Sequence, residues 1–144
     1  SKGTVIISWE RRERFKDTSE TLPGVYRLEL SENEFQGHSG VPFCTGVYGT
    51  ILYTPGGFVS VSLNCAPKKD PNQDEPADVF NRKYFYSGTY TASEKQALHM
   101  PENGSVVEHL GHIQARAMSI NKDKLTLAGM NGSAFIAVWK KLSE

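Results

Sequence analysis

The sequence predicts an all-β fold, an up-and-down antiparallel barrel or a sandwich of eight to nine short strands, with a short N-terminal helix or arm ahead of it. Three observations carry the prediction. From residue 22 onward, short segments alternate apolar with polar residues, the spacing that puts alternate side chains on one face of a strand. Turn signals built from Pro, Gly, Asn and Asp separate those segments. The composition suits tight turns between aromatic faces, with 13 Gly, 7 Pro, seven Phe, six Tyr and two Trp in 144 residues. That length fits one domain with a real core.

Residues 1–20 are expected to form the arm and residues 21–144 the β domain. Thr4-Val5-Ile6-Ile7 is a small apolar patch, and Ser8–Lys16 (SWERRERFK) is charge-dense and free of Gly and Pro. Ser8 can cap a short helix there, the alternative being a disordered leader. Val25–Leu30 alternates as a first strand. Gly46–Thr54 is rich in β-branched and aromatic residues, Pro55-Gly56-Gly57 turns the chain, and Phe58–Leu63 returns with period two, the clearest hairpin in the sequence. Further strands are expected at Tyr84–Thr91, Gln96–Met100, Ser105–Leu110, Ile113–Ile120, Lys124–Ala128 and Ala134–Lys141. The turns fall at Asn103-Gly104, at Asn121–Lys124 and at Asn131-Gly132. Two long loops, residues 31–45 and 66–83, break the rhythm, and long loops in compact domains are binding loops, lids or disordered segments.

Composition narrows the function. Sixteen basic and sixteen acidic side chains balance. The surplus of Lys and Arg that phosphate binding draws on is therefore missing, and no nucleic-acid partner is expected. The same balance argues against docking on an anionic membrane. No apolar run is long enough for a membrane helix and no signal-peptide pattern opens the chain, so a cytoplasmic location is expected. Cys44 and Cys65 cannot build a disulfide framework. His38, His99, His109 and His112 have no zinc spacing, so no metal is expected. Phosphate-loop, dinucleotide and nucleophile-elbow patterns are missing, so the expectation is no cofactor.

Several segments resemble the lipocalin-like domain family of the calycin group. Gly49-Thr-Ile-Leu-Tyr-Thr-Pro-Gly-Gly-Phe58 with Val59-Ser60-Val61 resembles the family's GxLxYTPDGxMSV hairpin, and Tyr86-Ser87-Gly88-Thr89-Tyr90 its YSGxY strand. Leu22-x-Gly24-Val25-Tyr26-Arg27-Leu28 resembles the opening L-x-G-T-W-R-L. Gln114, Arg116 and Leu125-Thr126-Leu127 resemble the closing Q-x-R … D-x-L-T-L. Val106–His109 is similar to a V-x-H-H-V strand in which the first histidine has become Glu108. Tyr26 replaces the opening tryptophan, Gly56 the aspartate of the turn, and Trp139-Lys140-Lys141 the closing W-x-R. The resemblance spans residues 22–140. It implies a barrel with an internal cavity open at one end, holding a small hydrophobic molecule. Such a barrel serves as a cofactor-independent enzyme of isomerase, cyclase or lyase type acting on a biosynthetic intermediate, or as a non-catalytic carrier or sensor; fold alone does not choose. A homo-oligomer, or an interaction module using the arm or an edge strand, stays open as well.

Within that frame, Tyr84, Tyr86, Gly88 and Tyr90 share one strand face and could line a pocket, with the glycine leaving room, or simply pack the core. His109, matched by the resemblance, and Tyr86 are the candidate catalytic residues for acid–base chemistry. Tyr53, Tyr84, Tyr90, Arg116, Glu108 and Phe80 are the candidate ligand-binding residues. Glu108 and Arg116 are eight residues apart across a turn at Gly111-His112, which would pair them in a hairpin as a charge pair in the wall. The charged, proline-broken loop 66–83 is either a solvated loop or a lid over the barrel mouth, with Val79, Phe80 and Tyr84 packing onto ligand.

Overall fold

The period-two segments do form strands, and side-chain burial follows the alternation. On the strand after the Pro55-Gly56-Gly57 turn, Val59, Val61 and Leu63 are buried while Ser60 and Ser62 are exposed. The strand before it buries Ile51 and Tyr53 and exposes Tyr48, Thr50 and Leu52. A computed structural model describes residues 3–9, 21–32, 47–65, 83–130 and 136–143 of the chain. The eight strands are β1 (Gly24–Glu32), β2 (Val47–Tyr53), β3 (Phe58–Cys65), β4 (Lys83–Ala92), β5 (Gln96–Gly104), β6 (Gln114–Asn121), β7 (Lys124–Gly129) and β8 (Ile136–Ser143). Each pairs antiparallel with the next, and β8 pairs back onto β1, closing a barrel in strict sequence order. The sandwich alternative is therefore excluded.

The β2–β3 hairpin turns as expected. Thr54 anchors it, donating its backbone N–H to the Phe58 carbonyl at 2.9 Å and accepting from the Phe58 N–H at Oγ1 at 3.0 Å. Gly57 has φ of 92°, a left-handed conformation that glycine adopts without steric cost. β1 enters the barrel through Tyr26, whose hydroxyl donates to the Leu22 carbonyl at 2.6 Å.

One expected strand is not formed. β5 runs on through Pro101 and Asn103-Gly104, with Asn103 opposite Ser87 and Gly104 opposite Tyr86. Val107–His109 is then a single 3-10 turn, not part of a Ser105–Leu110 strand. The long neighbour β4 explains this, because its backbone groups need partners as far as Tyr86 and β5 extends to supply them. A bulge between Ser87 and Gly88 absorbs the mismatch. There a Cβ built on Gly88 would run into the Met100 carbonyl, so the glycine admits the β5 backbone. The helix proposed from Ser8 lies, beyond Trp9, outside the described residues, as do the Asn131-Gly132 turn and both long loops except at their edges, where Ser31 and Glu32 end β1 and Lys83 begins β4. Residues 3–9 carry no regular structure.

Candidate functional site

The barrel interior is aromatic and polar together. Alternation on β4 turns Tyr84, Tyr86 and Tyr90 inward, all buried. On β2 it turns Tyr53 inward, and on β5 it turns Ala97, His99 and Pro101 inward. Tyr53 and Tyr90 meet edge to face with ring centroids 4.8 Å apart, and Tyr26 stands against Tyr53 at 6.2 Å in the same manner. Edge-to-face packing sets the positive rim of one ring on the negative face of the next.

His99 is the centre of this arrangement. It is 1% exposed. Its Nε2 lies 2.7 Å from the Tyr53 hydroxyl and its Nδ1 2.5 Å from the Tyr86 hydroxyl. Both ring nitrogens are thus engaged, in a continuous buried chain Tyr53–His99–Tyr86 that ties β2, β4 and β5 together. Burial disfavours the imidazolium, and the inward Arg116 adds repulsion, so the His99 pKa falls to about 3. Burial likewise pushes the Tyr53 and Tyr86 hydroxyls well above the usual tyrosine range. Near neutral pH the chain is uncharged throughout.

Arg116 also faces the interior. On β6 it shares the inner face with buried Met118, and it stands opposite buried Ala97 on β5 and Gly129 on β7. Its Nη1 donates to the Ala115 carbonyl at 3.0 Å. Its charge opposes the burial-driven rise of the Tyr53, Tyr84 and Tyr86 pKa values.

A second, shallower pair lies nearby. The Tyr84 hydroxyl is 3.0 Å from His109 Nδ1, and the two rings meet edge to face at 6.0 Å. Burial raises the Tyr84 pKa to about 12. Tyr90 donates its hydroxyl to the Thr54 carbonyl at 2.6 Å, which fastens β4 to the β2–β3 turn.

The structure therefore brings Tyr53, Tyr86, Tyr84 and Arg116 to the inner face, with Tyr90 at the turn. The two candidate catalytic residues have different partners: Tyr86 bonds His99, and His109 bonds Tyr84. Glu108 is corrected as well. It is exposed on the 3-10 turn, and the hairpin that would set it opposite Arg116 does not exist. Phe80 and Val79, with the lid they were expected to form, lie outside the described residues. His99 was missed by the sequence reasoning, although Gln96–Met100 was expected as a strand and its alternation puts His99 on the face of Ala97. The strand that follows YSGxY is β5, so the histidine in it is His99 and not His109.

Trp139 completes the inner surface on β8, in register with Leu125 on one side and Leu28 on the other, at 3% exposure. Its indole Nε1 has no hydrogen-bond partner among the described residues. Among those residues no group of three or more His, Cys, Asp or Glu is placed to hold a metal ion, and no helix is long and apolar enough to cross a membrane.

Neither the curated proteins nor the solved structures give a match to this chain. The model of one family, described as the lipocalin-like domain, matches residues 23–141, from the first strand to the last. A match of that extent, on a barrel closed in strict sequence order, shows that the chain belongs to the lipocalin-like domain family.

Proposed function

We propose that the barrel binds a small, largely apolar molecule, a hydrophobic biosynthetic intermediate, and acts on it without a cofactor as an isomerase, cyclase or lyase. The supporting observation is the Tyr53–His99–Tyr86 chain, buried on the inner face of a closed barrel beside Arg116. Core stability alone does not call for it, since apolar side chains of the same volume fill a barrel without the cost of burying polar groups. The chain can move a proton without leaving a charge behind. A neutral imidazole carries a proton on one nitrogen and accepts on the other. A proton taken up at one tyrosine and released at the other exchanges the tautomer of His99 and conserves charge. Orientation in an apolar pocket supplies the remainder, several kcal/mol in well-positioned reactions.

A non-catalytic carrier or sensor is the second reading. It is favoured by the His99 pKa of about 3, which makes the imidazole a weak base and a good neutral hydrogen-bond partner. Incubation with an apolar cell extract, followed by chromatography and mass spectrometry, separates the two. The enzyme reading expects one compound to be depleted and a product to appear with the wild-type chain, and not with Tyr86→Phe or His99→Gln. The carrier reading expects a compound that stays bound and chemically unchanged. Neither retention nor conversion would remove the ligand-binding reading altogether. Turnover that survives in Tyr86→Phe and His99→Gln would end the assignment of the proton to this chain.

A further inference from the structure

Among the described residues, the barrel interior holds more hydrogen-bond donors than acceptors to satisfy them. Tyr53, His99 and Tyr86, all uncharged, bring three protons to two hydrogen bonds. Whichever tautomer His99 adopts, one tyrosine accepts from a ring N–H, and the hydroxyl proton of that tyrosine then points elsewhere. The described residues hold no further hydrogen bond from either hydroxyl, although both rings are buried, at 1% and 6% exposure. Trp139 supplies a second such proton. Its indole N–H is buried on the inner face of β8 and has no acceptor among the described residues. Native proteins rarely leave buried donors empty, because each costs free energy that a partner would return. Acceptors of matching strength are scarce on this face. Every Asp and Glu whose side chain the structure describes is exposed.

We infer that the molecule held in the barrel carries its polar atoms as acceptors only: ketone, lactone or ester oxygens on an apolar ring frame. One oxygen takes the indole N–H of Trp139 and one takes the spare hydroxyl of the Tyr53–His99–Tyr86 chain. The inference rests on the ligand-binding reading above and goes beyond it by naming the chemistry of the ligand. A ligand hydroxyl is tolerated only through its oxygen. An ammonium group is rejected, since it adds donors to a surface already in surplus.

Three probes of one size and shape test this: 1-tetralone, which adds a carbonyl acceptor, tetralin, which is the bare hydrocarbon, and 1-aminotetralin, which carries an ammonium group. The protein is used with Trp9→Phe, which leaves Trp139 as the only tryptophan of the two. Binding is followed by tryptophan fluorescence and by the proton resonances of the Trp139 indole N–H and the His99 ring. The expectation is that 1-tetralone binds about tenfold tighter than tetralin, the effect of satisfying one buried donor. At least one of the two resonances moves downfield with the ketone and not with the hydrocarbon, and 1-aminotetralin binds most weakly. Equal affinity of 1-tetralone and tetralin, or resonances that do not distinguish them, overturns the acceptor rule while leaving ligand binding intact. Failure of all three probes to bind removes the ligand-binding reading, and the acceptor rule with it. Trp139→Phe, which leaves no tryptophan and is therefore followed by the His99 ring resonances, provides the second check, narrowing the preference for the ketone over tetralin several-fold.

Discussion

Lowering the pH from 7 to 5 should destabilise this protein through His99 alone by about 2 kcal/mol. The imidazole has a pKa near 6.5 in the unfolded chain and about 3 in the barrel, where burial and Arg116 oppose its charge. Because the folded value is the lower one, the unfolded chain binds the proton first. The stability from a neutral His99 is therefore complete above pH 6.5 and drains away as pH falls toward 3. Integrating the linkage between pH 7 and pH 5 gives about 2 kcal/mol, and extending it to pH 4 gives about 3. The first figure hardly depends on the folded value, since at pH 5 the buried imidazole is still almost wholly neutral. Urea unfolding followed by circular dichroism at the two pH values measures it. Carboxylates and the other histidines contribute as well, so the quantity of interest is the difference between wild type and His99→Gln, which lacks the titrating ring. Wild type should lose about 2 kcal/mol more than the variant over this interval. Equal losses would show that His99 is not held neutral and buried. Should the variant not fold, the carbon and nitrogen shifts of the His99 ring in the wild-type protein serve instead, and they should not titrate between pH 8 and 5.

Three further outcomes follow from the packing. Gly88→Ala drives a Cβ into the Met100 carbonyl at the β4–β5 bulge and should destabilise the fold by about 1–3 kcal/mol in urea unfolding; a neutral effect would mean that β5 does not approach β4 so closely. Tyr86→Phe leaves His99 Nδ1 without its buried partner and should cost about 1–3 kcal/mol, measured by the same transition, whereas a change within error would place the hydroxyl elsewhere. Trp139→Phe removes an N–H that has no partner among the described residues, so without ligand it should cost about 1 kcal/mol or less beyond its lost packing; a larger loss in thermal unfolding would reveal a hydrogen bond to the indole.

The hairpin from Val47 to Cys65 was legible in the sequence because its alternation and its Pro55-Gly56-Gly57 turn agree, one local signal reinforcing the other. The same holds for the inner face of β4, where Tyr84, Tyr86 and Tyr90 repeat at a spacing of two. The end of β5 was not legible. Pro101 and Asn103-Gly104 are turn residues by local chemistry, and only pairing with β4 holds them in a strand. That non-local term outweighs the local preference. The same misreading made a strand of Val106–His109, set Glu108 opposite Arg116, and drew attention to His109 and away from His99. A single histidine in a short alternating segment carries no pattern of its own. What marks His99 is two hydroxyls arriving from strands 46 and 13 residues away in the chain, which only the closed sheet brings together.

Barrel closure has a kinetic side. The seam between β1 and β8 joins Leu28 to Trp139, positions at nearly opposite ends of the β domain, while every other pairing links neighbours in sequence. The seven successive pairings can zip locally, but the last one needs the two ends of the meander to find each other, with the loop entropy of more than a hundred residues against it. Until it forms, two long strand edges lie open to pair with other molecules. The seam is thus the step at which folding is slowest and most prone to aggregation, and where a chain shortened at either end would fail.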